Sequence, residues 1–253
     1  MHTGGSAMCA RCDQGLSDQG LSHVIVPSRR GVLLGASALL LGGLVHAKEA
    51  KQPPKPQNVL TPDAALKRLQ QGNARYVKGL ARRHDFAHER EALVTGQNPY
   101  AAVLSCADSR IAPEYAFDSG RGDLFVCRVA GNFANEESVA SFEYAVSVLG
   151  TPLILVLGHD ACGAVGATIK ALKDNTTLPG HLPSLVAGLS GSVKAAADQP
   201  GDALANATKQ NVVDTVAKLK SATPILSAAV DQGKLKVVGG IYRLGTGKVD
   251  ILA

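Results

Sequence analysis

Residues 151–173 read TPLILVLGHDACGAVGATIKALK. An unbroken apolar run of strand length ends at His159, and the pattern becomes helical from Cys162 onward. A strand that is apolar at every position, rather than at alternate positions, is typical of a parallel sheet covered on both faces. The stretch therefore predicts a buried parallel strand followed by a helix of an α/β fold.

Two further apolar runs have the same character, YAAVLSC (100–106) and GDLFVCRVAG (122–131). An amphipathic helix is predicted for EESVASFEYAVSVLG (136–150), and helices that serve packing are predicted within 174–233. KLKVVGGIYRL and KVDIL, separated by a GTG turn, are predicted to form a pair of strands. The sequence thus predicts a single α/β domain over 61–253, with a mostly parallel central sheet flanked by helices and a C-terminal strand pair at its edge.

The domain begins with a helix start signal. Thr61 can cap the helix, Pro62 suits the first turn, and Asp63 lies near the positive end of the helix dipole. A second, short helix is predicted around HEREALVTG, ending at Gly96.

The first part of the chain resembles a bacterial export signal. Arg29 and Arg30 precede an apolar run from Gly31 to Val45, and a small-residue site ends at Ala47. The adjacent arginines predict the twin-arginine type over 1–47, with a linker over 48–60 and a periplasmic or otherwise exported protein. The alternative is an uncleaved membrane anchor, for which the run is short against the roughly 20 residues that cross a bilayer. After cleavage we expect no stable membrane span.

Composition argues against a nucleic-acid partner. The net charge of +5 comes from lysines and arginines scattered along the chain, and there is no Trp and only 4% aromatic residues. Both a basic groove and a stacking platform for bases are therefore poorly supported.

The five cysteines divide between the leader and the mature chain. Cys9 and Cys12 form one CxxC upstream of the signal, which favours discarded sequence over a metal site. The mature chain keeps three, an odd number that excludes a complete set of intramolecular disulfides. Cys127 is interpreted as a small apolar residue of its strand.

Two short clusters, CADSR (106–110) and HDAC (159–162), follow two of the predicted strands. Because ligands gather at the carboxyl ends of parallel strands, we expect both clusters at one edge of the sheet. Two thiolates and one imidazole, with Asp108 close enough to be a fourth ligand, are typical of a catalytic zinc site. The glycines of GHDACGAVG also suggest a phosphate-binding turn, but their spacing does not match GxGxxG.

The chain resembles the β-class carbonic anhydrases from about Thr61 to its end. The resemblance rests on CADSRIAPE, GDLFVCRVAGN, SFEYAVSVLG and GHDACGAV. It implies one Zn²⁺ per chain, held by Cys106, His159 and Cys162. It also implies that Asp108 and Arg110 form a catalytic pair.

The same resemblance implies reversible hydration of carbon dioxide to bicarbonate and a proton, by attack of a zinc hydroxide. It places Gln97, Phe125, Tyr144 and Gly163 in the substrate pocket, and Ala130 stands where family members often have Val. Asp108 either pairs with Arg110, leaving the metal open, or binds zinc and closes the site. The resemblance further implies a homodimer or a dimer of dimers.

Two other functions stay open on the sequence. A relative with this fold and zinc could act on carbon disulfide, since loops and assembly set substrate access. A zinc-binding protein permanently closed by Asp108 is the non-enzymatic alternative, and Arg110 counts against it because it can draw Asp108 away.

Overall fold

A five-stranded sheet forms the centre of the protein in a computed structural model that describes residues 59–252, the side chains of Phe86 and His88 excepted. The strands are β1 (Ala101–Ser105), β2 (Leu124–Arg128), β3 (Leu153–His159), β4 (Lys236–Tyr242) and β5 (Val249–Leu252). They lie in the order β2-β1-β3-β4-β5. All neighbouring pairs are parallel except β4 and β5, which are antiparallel. The predicted mostly parallel sheet with a C-terminal strand pair is confirmed.

Helices cover both faces of the sheet. They are α1 (Pro62–Val77), α2 (Phe86–Ala92), α3 (Pro113–Ala116), α4 (Glu136–Ser147), α5 (Gly163–Lys173), α6 (Leu182–Ala195), α7 (Ala203–Ser221) and α8 (Ile225–Asp231). Within the described residues, none of these helices combines the length and the apolar character that crossing a bilayer requires.

The two central strands are buried along their whole length, as their unbroken apolar runs predict. Alternate residues of each strand contribute to two separate cores. One core packs β1 and β3 against α4, α7 and α8, and includes Leu104, Phe142, Ile154, Val156, Val212 and Leu226. The other packs them against α1 and α3, and includes Leu69, Val103, Phe117, Leu155 and Leu157. Each such side chain contributes about 1.5–3 kcal/mol by leaving water, and together they fix the strand ends that carry the site.

The start of α1 follows its sequence signal. The Thr61 hydroxyl accepts a hydrogen bond from the Ala64 amide at 3.3 Å, and Pro62 is the first helical residue. The second helix is shorter than predicted, because α2 ends at Ala92 and single turns continue to Gly96. The β-branched Val94 and Thr95 in that stretch are poor helix formers, which accounts for the early end.

The expected export signal (1–47), with Cys9 and Cys12, lies outside the described residues, as does the expected linker (48–60) apart from its last two residues.

Candidate metal centre

Three residues of metal-ligand type converge at the carboxyl edge of the sheet. Cys106 directly follows β1, and His159 ends β3, the parallel neighbour of β1. Cys162 is the N-cap of α5 rather than a residue of its first turn, where the sequence placed it. The ligand atoms of the three residues all lie within 4.8 Å of one another. The predicted meeting of the two clusters at one strand edge is therefore observed.

The imidazole of His159 is oriented for a metal. Its Nδ1 donates to the backbone carbonyl of Asp160 at 2.8 Å, which leaves the lone pair on Nε2. His159 is fully buried, and Nε2 has no hydrogen-bond partner among the described residues. A buried polar atom without a partner costs free energy, and a metal ion bound at Nε2 would remove that cost.

The thiols of Cys106 and Cys162 lie close enough to shift each other's pKa. The neighbouring Cys162 thiol is the main reason that the pKa of the Cys106 thiol falls to about 4, although burial opposes the shift. The neighbouring Cys106 sulfur, together with burial, raises the pKa of Cys162. Burial lowers the pKa of His159, but the neighbouring Cys106 sulfur favours the charged imidazole and the net shift is upward. A cation bound here would displace the thiol protons, as metals do when they bind cysteines.

The donor set fits zinc. Two sulfurs and one imidazole nitrogen discriminate against Mg²⁺ and Ca²⁺, which take oxygen ligands. Tetrahedral zinc with Zn–S bonds of about 2.3 Å places two sulfurs about 3.8 Å apart, which the observed spacing accommodates with little movement. Three protein ligands also leave one of the four positions of a tetrahedral zinc for substrate or water.

Asp108 lies beside the cluster and is paired with Arg110. Arg110 Nε donates to Asp108 Oδ1 at 2.9 Å, and Nη2 donates to Oδ2 at 2.6 Å. These bonds hold the pKa of the Asp108 carboxyl well below its usual range. Asp108 Oδ2 is 3.9 Å from His159 Nε2, so the carboxylate lies next to the metal position. Its hydrogen bonds with Arg110 hold it there.

The structure adds two residues that the sequence did not indicate. Arg128 donates from Nε to the Cys106 carbonyl at 3.0 Å and from Nη2 to the Asp108 carbonyl at 2.7 Å. It lies opposite Ser105 in the sheet, so the strand-end argument that found Cys106 could have found it. The Gly131 amide donates to Cys106 Sγ at 3.3 Å. A backbone contact of that kind leaves no side-chain signal in the sequence.

The expected pocket residues divide into two groups. Gly163, the first residue of α5, adjoins Cys162, and the space around its α-carbon is open. Phe125 and Tyr144 pack against each other with ring centroids 6.4 Å apart. Phe125 lies opposite Ala102, three residues before the end of β1, and Gln97 is an exposed residue that precedes the amino end of β1. Within one chain, the structure thus brings Gly163 to the metal cluster but not these other three.

The sequence of this chain is similar to those of known proteins. A family model described as "Carbonic anhydrase" matches residues 101–249, which include the whole cluster. Carbonic anhydrase 2 of Mycobacterium tuberculosis is 39% identical over 188 residues, which cover 74% of this chain and 91% of that protein.

Solved structures of this family have the same fold. The β-carbonic anhydrase CcaA is similar with a TM-score of 0.59 at 28% identity, covering 75% of this chain and 92% of that one. The β-carbonic anhydrase CafA of Aspergillus fumigatus gives a TM-score of 0.59 at 26% identity, covering 75% and 89%. On its sequence, its fold and its cysteine–histidine cluster, this chain belongs to the carbonic anhydrase family, in the β class.

Proposed function

We propose that the chain holds one Zn²⁺ at Cys106, His159 and Cys162 and there converts carbon dioxide and water reversibly to bicarbonate and a proton. Zinc-dependent hydration of carbon dioxide is the reaction of the family to which the chain belongs. The observation that carries the assignment to this site is the convergence of three buried ligand atoms within 4.8 Å of one another.

The protein groups at this site match what such a reaction needs. When bound, zinc supplies a hydroxide at neutral pH by lowering the pKa of a coordinated water from 15.7 to about 7, the value known for a three-histidine carbonic anhydrase. The thiolates of Cys106 and Cys162 balance the charge of the cation in a buried place. The backbone carbonyl of Asp160 holds the His159 ring in the tautomer that presents Nε2.

Asp108 has a separate role in the proposal. Its Oδ2 lies near the metal position and can accept a hydrogen bond from the attacking water, while Arg110 keeps the carboxylate ionised and fixed. The pairing of Asp108 with Arg110 supports an open metal position. It therefore favours an enzyme over a zinc-binding protein that Asp108 closes permanently.

We propose that the working form is a homodimer or a dimer of dimers. β2 is an edge strand of the sheet, and its residues Leu124–Cys127 are apolar but only half-buried. Tyr144, which packs on Phe125, is 47% exposed. An apolar edge strand of this kind favours pairing with a second copy. A second copy would also cover Phe125 and Tyr144, two of the expected pocket residues.

We also propose that the chain is exported through the twin-arginine route. Arg29 and Arg30 followed by the apolar run Gly31–Val45 support it. That route suits a metal site with thiolate ligands, since the chain can fold and load zinc before it meets an oxidising compartment.

The metal assignment is tested by comparing two cysteine variants. Cys106→Ala removes a proposed ligand, whereas Cys127→Ala removes the half-buried free cysteine of β2. Elemental analysis should give one zinc per chain for the wild type and for Cys127→Ala, and little for Cys106→Ala. Carbon dioxide hydration should follow the zinc. Equal zinc content and hydration in the two variants would contradict the proposed site, and hydrolysis of carbon disulfide without hydration of carbon dioxide would contradict the proposed substrate.

A further inference from the structure

A buried asparagine on α7 contacts the loop behind the metal cluster. Asn211 is 2% exposed, and its Nδ2 donates to the backbone carbonyl of Gly131 at 2.8 Å. The sequence predicted the helices of 174–233 as packing elements only. α7 nevertheless places a polar side chain against the loop that follows β2.

Gly131 is the residue that links this contact to the site. Its amide donates to Cys106 Sγ at 3.3 Å, while its carbonyl accepts from Asn211. Its φ of +86° favours glycine, and a β-carbon there would lie 2.7 Å from Leu189 Cδ1. Asn211 on one helix and Leu189 on another therefore fix the position of a backbone that touches a proposed metal ligand.

α7 holds the same loop at a second point farther from the cluster. Lys218 Nζ donates to the carbonyl of Ala134 at 2.6 Å. Asn211 and Lys218 are about 10 Å apart along the helix at 1.5 Å per residue, so the helix acts as a rigid support for the loop. Of these two contacts, only that of Asn211 is made with the residue whose amide meets Cys106.

We propose that Asn211 is a positioning residue of the metal centre, which holds Gly131 so that its amide donates to the Cys106 sulfur. A hydrogen bond to a thiolate withdraws electron density from the sulfur and tunes how strongly it donates to a metal. The inference rests on the proposed function, because it assigns a support to one ligand of the proposed zinc site.

Two substitutions at Asn211 test the proposal in the full chain. Asn211→Leu and Asn211→Asp both remove the amide donor at nearly constant size, one without charge and one with it. Leu226→Ala is the control, since it opens the core at α8 and destabilises the fold without removing either hydrogen bond of Gly131. In Co²⁺-loaded protein, we expect the sulfur-to-cobalt charge-transfer band to move to longer wavelength in both Asn211 variants. Zinc affinity, measured by chelator competition, should fall about 10- to 100-fold.

The control should change neither the band nor the zinc affinity. An unshifted band and wild-type zinc affinity in a folded Asn211 variant would overturn the proposal, and so would equal changes in Leu226→Ala. If the wild type binds zinc and the Asn211 variants keep its band and its zinc affinity, this inference is contradicted but the proposed metal site is not. A wild type without any sulfur-to-cobalt band would defeat the proposed metal site, and this inference with it.

A measurement on the wild type does not depend on how the variants fold. In the ¹¹³Cd-loaded full chain, the Gly131 amide proton should show scalar coupling to cadmium through the Cys106 sulfur. Absence of that coupling, in a spectrum where cadmium is bound by the cysteines, would overturn the proposed hydrogen bond.

Discussion

The carboxylate of Asp108 accepts two side-chain hydrogen bonds from the guanidinium of Arg110, at 2.9 Å on Oδ1 and 2.6 Å on Oδ2. The Arg110 amide donates to Oδ1 as well, at 2.9 Å. The carboxylate is thus held beside the metal position by its neighbour two residues along the chain. In the proposed function, this pairing keeps the metal position open.

Loss of the Arg110 side chain should impair catalysis but not zinc binding. In Arg110→Gln, Asp108 loses its charged partner and is free to approach the metal. We expect kcat for carbon dioxide hydration at neutral pH to fall about 10- to 100-fold, the usual effect of removing a group that orients a metal site. Stopped-flow kinetics and elemental analysis on the same sample measure both quantities.

Arg83→Gln, at an exposed arginine in the segment before α2, is the matched control and should behave as wild type. Wild-type kinetics in Arg110→Gln would show that the pairing with Asp108 does not matter for the reaction. Loss of zinc in that variant would instead assign Arg110 to metal retention.

A second acid, Asp118, should govern part of the acid stability. Burial opposes its ionisation, but hydrogen bonds from the Arg75 side chain at 2.5 Å and the Arg82 amide at 2.9 Å outweigh it and lower its pKa. Because the folded-state pKa is depressed, the stabilisation is present above the unfolded pKa of about 3.9 and is lost as the pH falls through and below it. We expect Asp118→Asn to lower the free energy of unfolding at pH 7 by about 1.5–3 kcal/mol.

Urea unfolding at several pH values measures that difference, which should shrink as the pH falls below about 4. Asn tolerates the φ of +44° at this position, so backbone strain does not confound the comparison. Asp174→Asn, which breaks an exposed ion pair with Lys170, should leave stability close to wild type. A pH-independent loss in Asp118→Asn would show that its charge is not the cause.

The proposed dimer predicts different behaviour for two exposed tyrosines. Tyr144→Arg places a charge beside Phe125 on the expected interface, whereas Tyr115→Arg changes a 75% exposed tyrosine of α3. Sedimentation should show at least two chains in the wild type and in Tyr115→Arg, and dissociation with loss of hydration in Tyr144→Arg. An active wild-type monomer would contradict the proposal.

Export should depend on the two adjacent arginines. Replacing Arg29 and Arg30 by lysine keeps the charge but removes the twin-arginine pattern. In a bacterium that has the route, fractionation should find the wild type processed and outside the cytoplasm, and the double variant unprocessed within it. Equal export of both would assign the leader to another pathway.

Much of the fold and the metal cluster could be predicted because both follow local rules. The unbroken apolar runs ending at Cys106 and His159 predicted parallel strands buried on both faces, and parallel strands align their carboxyl ends. Thr61 and Pro62 predicted the start of α1 for the same reason, since helix caps depend on neighbouring residues.

The rest depends on contacts between distant parts of the chain. The bond from Asn211 to Gly131 joins residues 80 positions apart, and its acceptor is a backbone carbonyl. Arg128 differs in that its place at the end of β2 could have been predicted, but its two hydrogen bonds go to backbone carbonyls of the CADSR segment. Such contacts leave no pattern of spacing or hydrophobicity in the sequence.

The central claim is that this cluster is an open zinc site that hydrates carbon dioxide, and stopped-flow hydration by the zinc-loaded wild type from about pH 6.5 to about pH 9 tests it most directly. The account predicts hydration already at neutral pH with one zinc per chain, because Arg110 holds Asp108 away from the metal. Hydration that begins only at alkaline pH would contradict the open site, and one zinc per chain without hydration at any of these pH values would contradict the enzyme itself.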